Sequence, residues 1–305
     1  VSYQTAWLKA NHPVEFMAAV MNCDIHLTDK LSVYKSEADR LGIEIVPPCV
    51  NRCDAEFAVA EGRILYALGA LKGVGLEAMR LIETARKEGG PFTDLFDLAR
   101  RVDLRRVGKR PLEMLARSGG FDALERNRRR VIESLDILVG YSGATHDERT
   151  SAQVSLFGDA PEALALPRLP EVEDWTAVER LAQEHAAVGF YLSGHPLDDY
   201  LGALKRERIM TYAELVRTAR AGTAAGRIAG TVATREERKS ARGNRFAYVR
   251  LSDPTGLYEV TMFSDVLEGA RDHLEPGQNV VLAVEVMIEG DEIRLRARGV
   301  QPIDA

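Results

Sequence analysis

Leu68-Gly69-Ala70-Leu71-Lys72-Gly73-Val74-Gly75-Leu76-Glu77-Ala78-Met79-Arg80-Leu81-Ile82 is the stretch around which this chain is organised. A short apolar element runs into a Gly-Val-Gly turn. After it, Ala78, Ile82 and Ala85 recur at i, i+4 and i+7, one buried stripe of a helix. Gly73 and Gly75 accept φ > 0 and put no Cβ in front of the turn, and Val74 is placed to plug it into a core. The free amides of the turn and of the helix N-terminus then face one point, which suits a phosphate, and Lys72 adds a mobile positive charge beside it. This is the pattern of a helix-hairpin-helix module, which holds nucleic-acid backbone without reading bases. Two other readings fit the same residues. One is a Gly-rich helix–helix turn with no ligand. The other is G-x-G-x-x-A from Gly73 to Ala78, a dinucleotide fingerprint. A fingerprint needs a strand before it and a second strand ending in an acid about 20 residues on, whereas Gly89-Gly90-Pro91 and another helical pattern follow here.

Moving outward, residues 71–139 read as helical throughout. Within them Val107-Gly108-Lys109-Arg110-Pro111-Leu112-Glu113-Met114-Leu115 forms a second, weaker hairpin-plus-helix, with Arg105 and Arg106 ahead of its turn. Two such units back to back make a pseudo-repeat, which a solitary bland turn does not explain. Charge follows the same division. The whole chain stands at −6, yet residues 71–130 carry 15 Lys/Arg against 9 Asp/Glu, a surplus of +6. Local field, more than the total, governs phosphate binding. The DNA-binding candidates of the pair are therefore Lys72, Gly73, Val74 and Gly75, then Arg105, Arg106, Gly108, Lys109 and Arg110.

On the N-terminal side, residues 1–42 carry helical periodicity through Trp7, Leu8, Phe16, Met17, Val20 and Met21, broken at His12-Pro13. Residues 43–70 read as short strands. Residues 140–174 are rich in Gly, Ser, Ala, Pro, Asp and Glu and are expected to form a linker. Inside that tract sits Gln153-Val154-Ser155-Leu156-Phe157. Leu156 and Phe157 suit anchors of a peptide that docks on a partner, with the Gln153 amide fixing orientation; the plainer reading is a turn that packs on its own domain. Residues 175–222 return to helix, and His195, within Gly194-His195-Pro196, reads as a turn histidine.

From residue 223 the period switches to two. Arg227–Ala233, Phe246–Leu251 and Leu257–Phe263 read as strands, 265–274 as an amphipathic helix, and Val280–Ile288 with Ile293–Arg298 as two more strands. Three strands, a helix and two strands is the order of an OB barrel. Its first long loop holds Arg235, Arg238, Lys239, Arg242 and Arg245 beside Phe246 and Tyr248. Cations that track a backbone next to rings that stack on bases are what single-strand binding requires. A solvated loop tip with both rings inside the barrel is the alternative.

The chain is expected to do no chemistry by itself. Two-metal phosphoryl transfer draws on converging carboxylates, usually an Asp-x-Asp on a strand, and no Asp-x-Asp, Walker loop, HExxH or Ser-His-Asp arrangement occurs. Hydrophobic residues at 46% and charged residues at 28% describe an ordinary globular chain. No apolar run reaches the roughly 18 residues of a membrane span. The start at Val1, inside a helical pattern and without Met or a signal peptide, suggests a piece of something longer. Three cysteines without a secretory signal suit a reducing, cytoplasmic setting. Cys23, His26, Cys49 and Cys53 have loose zinc-like spacing, but scattered small core cysteines are the commoner outcome.

Several stretches in register then resemble one family. Val1-Ser2-Tyr3-Gln4-Thr5-Ala6-Trp7-Leu8-Lys9-Ala10, Gly42-Ile43-Glu44-Ile45-Val46-Pro47-Pro48-Cys49-Val50-Asn51, Gly69–Gly75, Gly90-Pro91-Phe92-Thr93-Asp94-Leu95-Phe96-Asp97 and Leu192-Ser193-Gly194-His195-Pro196-Leu197 are similar to the family C replicative polymerases of bacteria, the DNA polymerase III alpha subunits. The resemblance covers essentially the whole chain. It implies a multidomain α+β layout: a helical fingers remnant (1–70), a tandem helix-hairpin-helix domain (71–139), a linker with a clamp-binding motif (140–174), a helical connector (175–222) and a β-barrel OB domain (223–305). It further implies double-stranded and single-stranded DNA as ligands, and a β sliding clamp bound through Gln153, Ser155, Leu156 and Phe157. Other replicase subunits would bind regions outside this chain. The family's template-directed, Mg2+-dependent nucleotidyl transfer would use palm aspartates upstream of Val1, so no catalytic residue or cofactor is assigned within the chain. A stand-alone nucleic-acid-binding adaptor is the alternative.

Overall fold

A computed structural model describes residues 2–154, 165–239, 243, 245–290 and 292–303, and the chain divides into two compact units, Val1–Ser193 and Gly194–Ala305. The first unit opens with α1 (Ser2–Asn11), α2 (Pro13–Cys23) and α3 (Thr28–Arg40). Pro13 explains the break: it lacks the N–H that α1 would need, but it fits the first turn of α2. Strands β1 (Ile45–Val46), β2 (Ala58–Ala60) and β3 (Arg63–Leu65) form a small sheet in the order β1-β3-β2, β1 parallel and β2 antiparallel to β3. A 3-10 turn at Leu68–Ala70 leads to α4 (Leu76–Gly89), α5 (Leu95–Arg101), α6 (Leu104–Val107), α7 (Lys109–Arg117), α8 (Arg128–Val154) and α9 (Ala177–Val188). Starts are set by side chains: Asp94 accepts from the Phe96 and Asp97 amides at 2.8 Å each, and Thr176 with Glu179 forms a reciprocal capping box on α9.

Three expected boundaries are corrected here. One buried cluster runs from Met17 through Leu68, Val74, Met79, Leu112 and Leu135 to Leu192, so the hydrophobic core passes straight across position 70/71. The linker expected from residue 140 begins as helix, because α8 continues to Val154. Gly140, Ser142 and Gly143 are weak helix formers, but non-local bonds override that preference. The buried Ser142 hydroxyl donates to Val102 O (2.9 Å) and accepts from the Leu104 N–H (3.0 Å). The connector is divided rather than continuous, α9 lying in the first unit and the helices after Ser193 in the second.

The second unit holds a 3-10 turn (Asp198–Tyr200), α10 (Leu201–Arg206) and α11 (Tyr212–Arg220). Strands β4 (Ala225–Lys239), β5 (Arg245–Asp253) and β6 (Gly256–Phe263) follow, then α12 (Ser264–Ala270), β7 (Asn279–Glu289) and β8 (Glu292–Pro302). The strands close into a barrel in the order β4-β5-β6-β8-β7, with β7 pairing back to β4. Within the barrel β6 and β8 pair in parallel and the other described pairings are antiparallel. This is the OB arrangement expected from the period-two pattern. Ala247, Val249, Leu251, Val260, Met262 and Leu295 alternate inward and fill the barrel. Buried Asp253 ties α11 to the β5–β6 turn by accepting from the amides of Tyr212 (2.5 Å), Thr255 (2.7 Å) and Gly256 (3.1 Å), and burial pushes its carboxyl up. His195 is also built in. The Leu197 N–H donates to its Nδ1 (3.1 Å), which leaves Nε2 to donate to Ser252 Oγ (3.0 Å).

Candidate nucleic-acid interface

The first hairpin is pinned by Leu71 and Val74, both buried, so the residue expected to plug the turn does so. The two glycines differ. Gly73 sits at φ +69°, whereas Gly75 is extended at φ −89°, ψ 144° and precedes α4 with no side-chain cap. The first amides of α4 are therefore left open to an anion. The buried stripe of α4 is shifted from the expected one: Met79 and Ile82 are fully buried, and Ala78 and Ala85 lie at its margin. The dinucleotide reading fails on context, since a 3-10 turn precedes the glycines and α5 is the next element after α4. Lys72 is exposed but placed rather than mobile. Its amide donates to Ala187 O (2.8 Å), and its side chain crosses Gly189, where a Cβ would meet Lys72 Cε at 2.6 Å and Nζ at 3.1 Å. Gly189 caps α9 in the left-handed region at φ +100°. The ammonium therefore lies at the negative end of a helix. Burial, and then the Lys72 charge, hold the nearby His185 imidazole below its usual range.

The second hairpin is α6, Gly108 at φ +92°, and α7, with Leu104, Val107, Leu112 and Leu115 buried beneath it. Its cations divide. Arg105 is held by Asp103 (3.0 Å) and, through two parallel bonds of 3.0 Å, by Asp147 of α8. Lys109 is held by Asp136 of α8 at 2.7 and 2.9 Å. Arg106 and Arg110 are exposed, with no acid partner among the described residues. Arg110 instead lies on the first hairpin: a Cβ at Gly73 would stand 3.0 Å from its Nε and 3.3 Å from a terminal nitrogen. The contact brings the two turns together and puts Arg110 beside Lys72's own turn. Other arginines of the basic segment serve the fold. Buried Arg86 donates to the carbonyls of Val50 (3.0 Å) and Cys53 and to Asp54. Arg101 donates to the carbonyls of Ala85 and Gly90 while capping the Phe92 ring at 4.4 Å.

In the barrel, Phe246 and Tyr248 alternate with buried Ala247 and Val249 and so stand on the outer face, not inside. They meet edge-on at 5.4 Å, and Arg238 lies 5.2 Å over the Tyr248 ring while bonded to Glu236. Arg235 is occupied by Glu275 (3.1 Å) and Arg271 O (2.8 Å), and Arg245 lies 4.0 Å from Glu237. Lys239 is exposed with no acid partner among the described residues, and Arg242 lies outside them. Two residues join this face that sequence reading passed over. Phe263 is paired in register with Phe246, its ring 6.4 Å away and 40% exposed, and Arg296 sits 4.6 Å over it from β8. Phe263 shares the alternation of Glu259 and Thr261, which was the available signal.

Of the clamp-motif residues, Ser155, Leu156 and Phe157 lie outside the described residues, as does the side chain of Gln153, whose backbone closes α8. Among the described residues no three His, Cys, Asp or Glu side chains gather to hold a metal. Cys49 and Cys53 are buried and Cys23 exposed; burial pushes the Cys53 thiol up to about 11. Among the described residues no helix is long and apolar enough to cross a membrane.

Paired hairpins with an uncapped helix start, and an OB barrel with rings and cations outside, define a multidomain α+β protein of the helix-hairpin-helix and OB classes. A model of the helix-hairpin-helix motif matches residues 42–131. Over its full length the chain is similar to DNA polymerase III subunit alpha. It is 47% identical over 304 residues to that of Caulobacter vibrioides, covering 100% of this chain and 26% of the relative. It is 35% identical over 325 residues to that of Pseudomonas aeruginosa (100% and 27%), and 36% identical over 306 residues to that of Thermus aquaticus (100% and 24%). The chain is thus homologous to DNA polymerase III subunit alpha and spans about a quarter of the length of the curated relatives it matches. A mitochondrial single-stranded DNA-binding protein from S. cerevisiae aligns with 26% of this chain and 95% of its own at 19% identity and a TM-score of 0.24. The OB class rests on the barrel's own strand order.

Proposed function

We propose that this chain is the DNA-holding part of a replicative DNA polymerase, gripping duplex backbone with its hairpin pair and guiding single strand over its barrel. The observation that carries this reading is the seat of Arg110 on Gly73, which turns two separate hairpins into one cationic surface beside the open amides of α4. Contacts of this kind go to phosphates and position the protein without reading bases. Stacking on Phe246, Tyr248 and Phe263 is worth about 1–3 kcal/mol per base and tolerates any sequence. Gln153, Ser155, Leu156 and Phe157 are proposed to dock on a sliding clamp. Burying each of the last two gives about 1.5–3 kcal/mol, so binding is in the roughly micromolar range until shared DNA raises the effective concentration. Template-directed synthesis would be the activity of the whole polymerase.

The test is duplex binding by the 305-residue chain, read as fluorescence anisotropy over a series of salt concentrations. Lys72→Glu with Arg110→Glu lowers affinity at least tenfold and flattens the salt dependence by roughly 0.9 per lost phosphate contact. Leu156→Ala with Phe157→Ala leaves duplex affinity alone and removes clamp binding. Unchanged duplex affinity in the first variant overturns the grip.

A further inference from the structure

The second hairpin carries a basic turn, yet two of its cations are already engaged by one helix. Lys109 Nζ meets both oxygens of Asp136 at 2.7 and 2.9 Å, and Arg105 lays two terminal nitrogens on the two oxygens of Asp147 at 3.0 Å each. Asp136 and Asp147 are separated by three turns of α8, so they lie on one face of it. Gly143 stands between them on that face, and a Cβ there would come within 3.2 Å of Arg105 Cδ and 3.3 Å of its terminal nitrogen. The arginine therefore lies in a groove that a glycine keeps open, with a carboxylate at its end. Asp103 adds a further acid from the start of α6. Nothing comparable holds the neighbouring Arg106 and Arg110, which have no acid partner among the described residues.

We infer that the Asp136–Gly143–Asp147 face of α8 is an internal competitor for phosphate, which occupies the second hairpin's cations and makes its hold on duplex DNA weaker and less salt-dependent than its charge implies. The inference rests on the proposal that the hairpins bind duplex backbone, and it concerns how that binding is tuned. The carboxylates are exposed, at 79% for Asp136 and 69% for Asp147, so they can leave without unfolding anything. When a phosphate replaces a carboxylate on Lys109 or Arg105, the freed carboxylate takes up a counterion as the DNA releases one. That exchange cancels part of the ion release that drives phosphate binding. On the first hairpin Lys72 has no acid partner among the described residues and lies instead at the Gly189 end of α9. The two halves of the repeat are unequal: one is open to DNA, and the other is won from α8.

The test uses the full chain with Asp136→Asn and Asp147→Asn together, against Glu133→Gln with Glu148→Gln, which removes the same charge from α8 away from Arg105 and Lys109. Among the described residues Glu133 pairs with Arg129, one turn away on α8. Duplex affinity is measured by anisotropy from low to moderate salt. The expected result is several-fold tighter binding by the first variant, with the slope of log K against log salt steeper by roughly 0.9 for each cation released, and a smaller gain with unchanged slope in the control. Equal slopes in parent and variant, or a control that matches the variant, overturn the inference while leaving the duplex grip standing. A parent and variant that both fail to bind duplex overturn the grip itself and this inference with it.

Discussion

Replacing Gly73 by alanine separates the two glycines that look alike in sequence. At φ +69° an added Cβ crowds the following carbonyl, which costs about 1–2 kcal/mol. It also stands 3.0 Å from Arg110 Nε, so the guanidinium must shift by a few tenths of an ångström off its seat. Gly75 at φ −89° has nothing within 4 Å of the same atom, and alanine there is close to neutral. The assay is urea unfolding followed by tryptophan fluorescence, which reports the first unit because Trp7 and Trp175 are the chain's two tryptophans and both lie within Val1–Ser193. With a slope of about 2 kcal/mol per molar urea, Gly73→Ala lowers the midpoint by roughly 0.5–1 M, and Gly75→Ala leaves it in place. Duplex affinity falls only in Gly73→Ala, where Arg110 is displaced. Equal losses in the two variants, or a Gly73→Ala midpoint equal to the parent's, would refute the assignment of Gly73 as the seat between the hairpins.

Two further outcomes follow from buried and paired charges. Arg86→Met keeps the volume but strips donors from the Val50 and Cys53 carbonyls and a partner from Asp54; it should cost the first unit about 3 kcal/mol in the same urea assay, and a loss below 1 kcal/mol would show the loop at 49–54 to be held by other means. Acid should also weaken that unit. The Tyr34 hydroxyl and Lys30 hold Asp24 below the usual carboxylate range, Arg40 does so for Glu37, and Arg105 for Asp103. Their folded pKa values lie below the unfolded ones near 4, so the stabilisation is complete above that range and is lost as pH falls through the folded values. The urea midpoint should drop steadily below about pH 4, and a midpoint flat down to pH 3 would count against these pairs. Asp253, in the second unit, runs the other way: burial raises its pKa, so its ionisation costs stability as pH rises through the folded value.

The barrel was legible because alternation is local. Ala247 and Val249 inside, with Phe246 and Tyr248 outside, can be read along one strand. The outward side of Phe263 can be read the same way, but its place beside Phe246 and under Arg296 comes only through the pairing of β6 with β5 and β8, which no single stretch records. The same limit explains α8. Gly140, Ser142 and Gly143 have linker composition, and what makes them helix is Ser142 bonded to residues 38 and 40 positions earlier and an arginine that fills the space over Gly143. Gly73 and Gly75 are identical in the motif and opposite in the backbone.

The charge of the basic segment shows why composition points to a function without sizing it. A surplus of +6 over residues 71–130 located the hairpins correctly. Its cations nevertheless do different jobs. Arg86 and Arg101 satisfy backbone carbonyls of the core, Arg105 and Lys109 are bonded to α8, and Arg106 and Arg110 are exposed with no acid partner among the described residues. On the proposed grip, only the last kind would meet phosphate at no internal cost, and the second kind would meet it by exchange. The helices that hold the hairpin cations are also the ones on either side of residues 155–164 in sequence. α8 runs up to Val154 with Asp136 and Asp147 on Lys109 and Arg105, and α9 offers Ala187 O and the Gly189 surface to Lys72. Each helix is thus joined to a hairpin cation by ion pairs or by a backbone hydrogen bond, above the buried contacts of Val131, Leu135 and Leu138 of α8 with Leu104, Leu112 and Leu115 of the second hairpin.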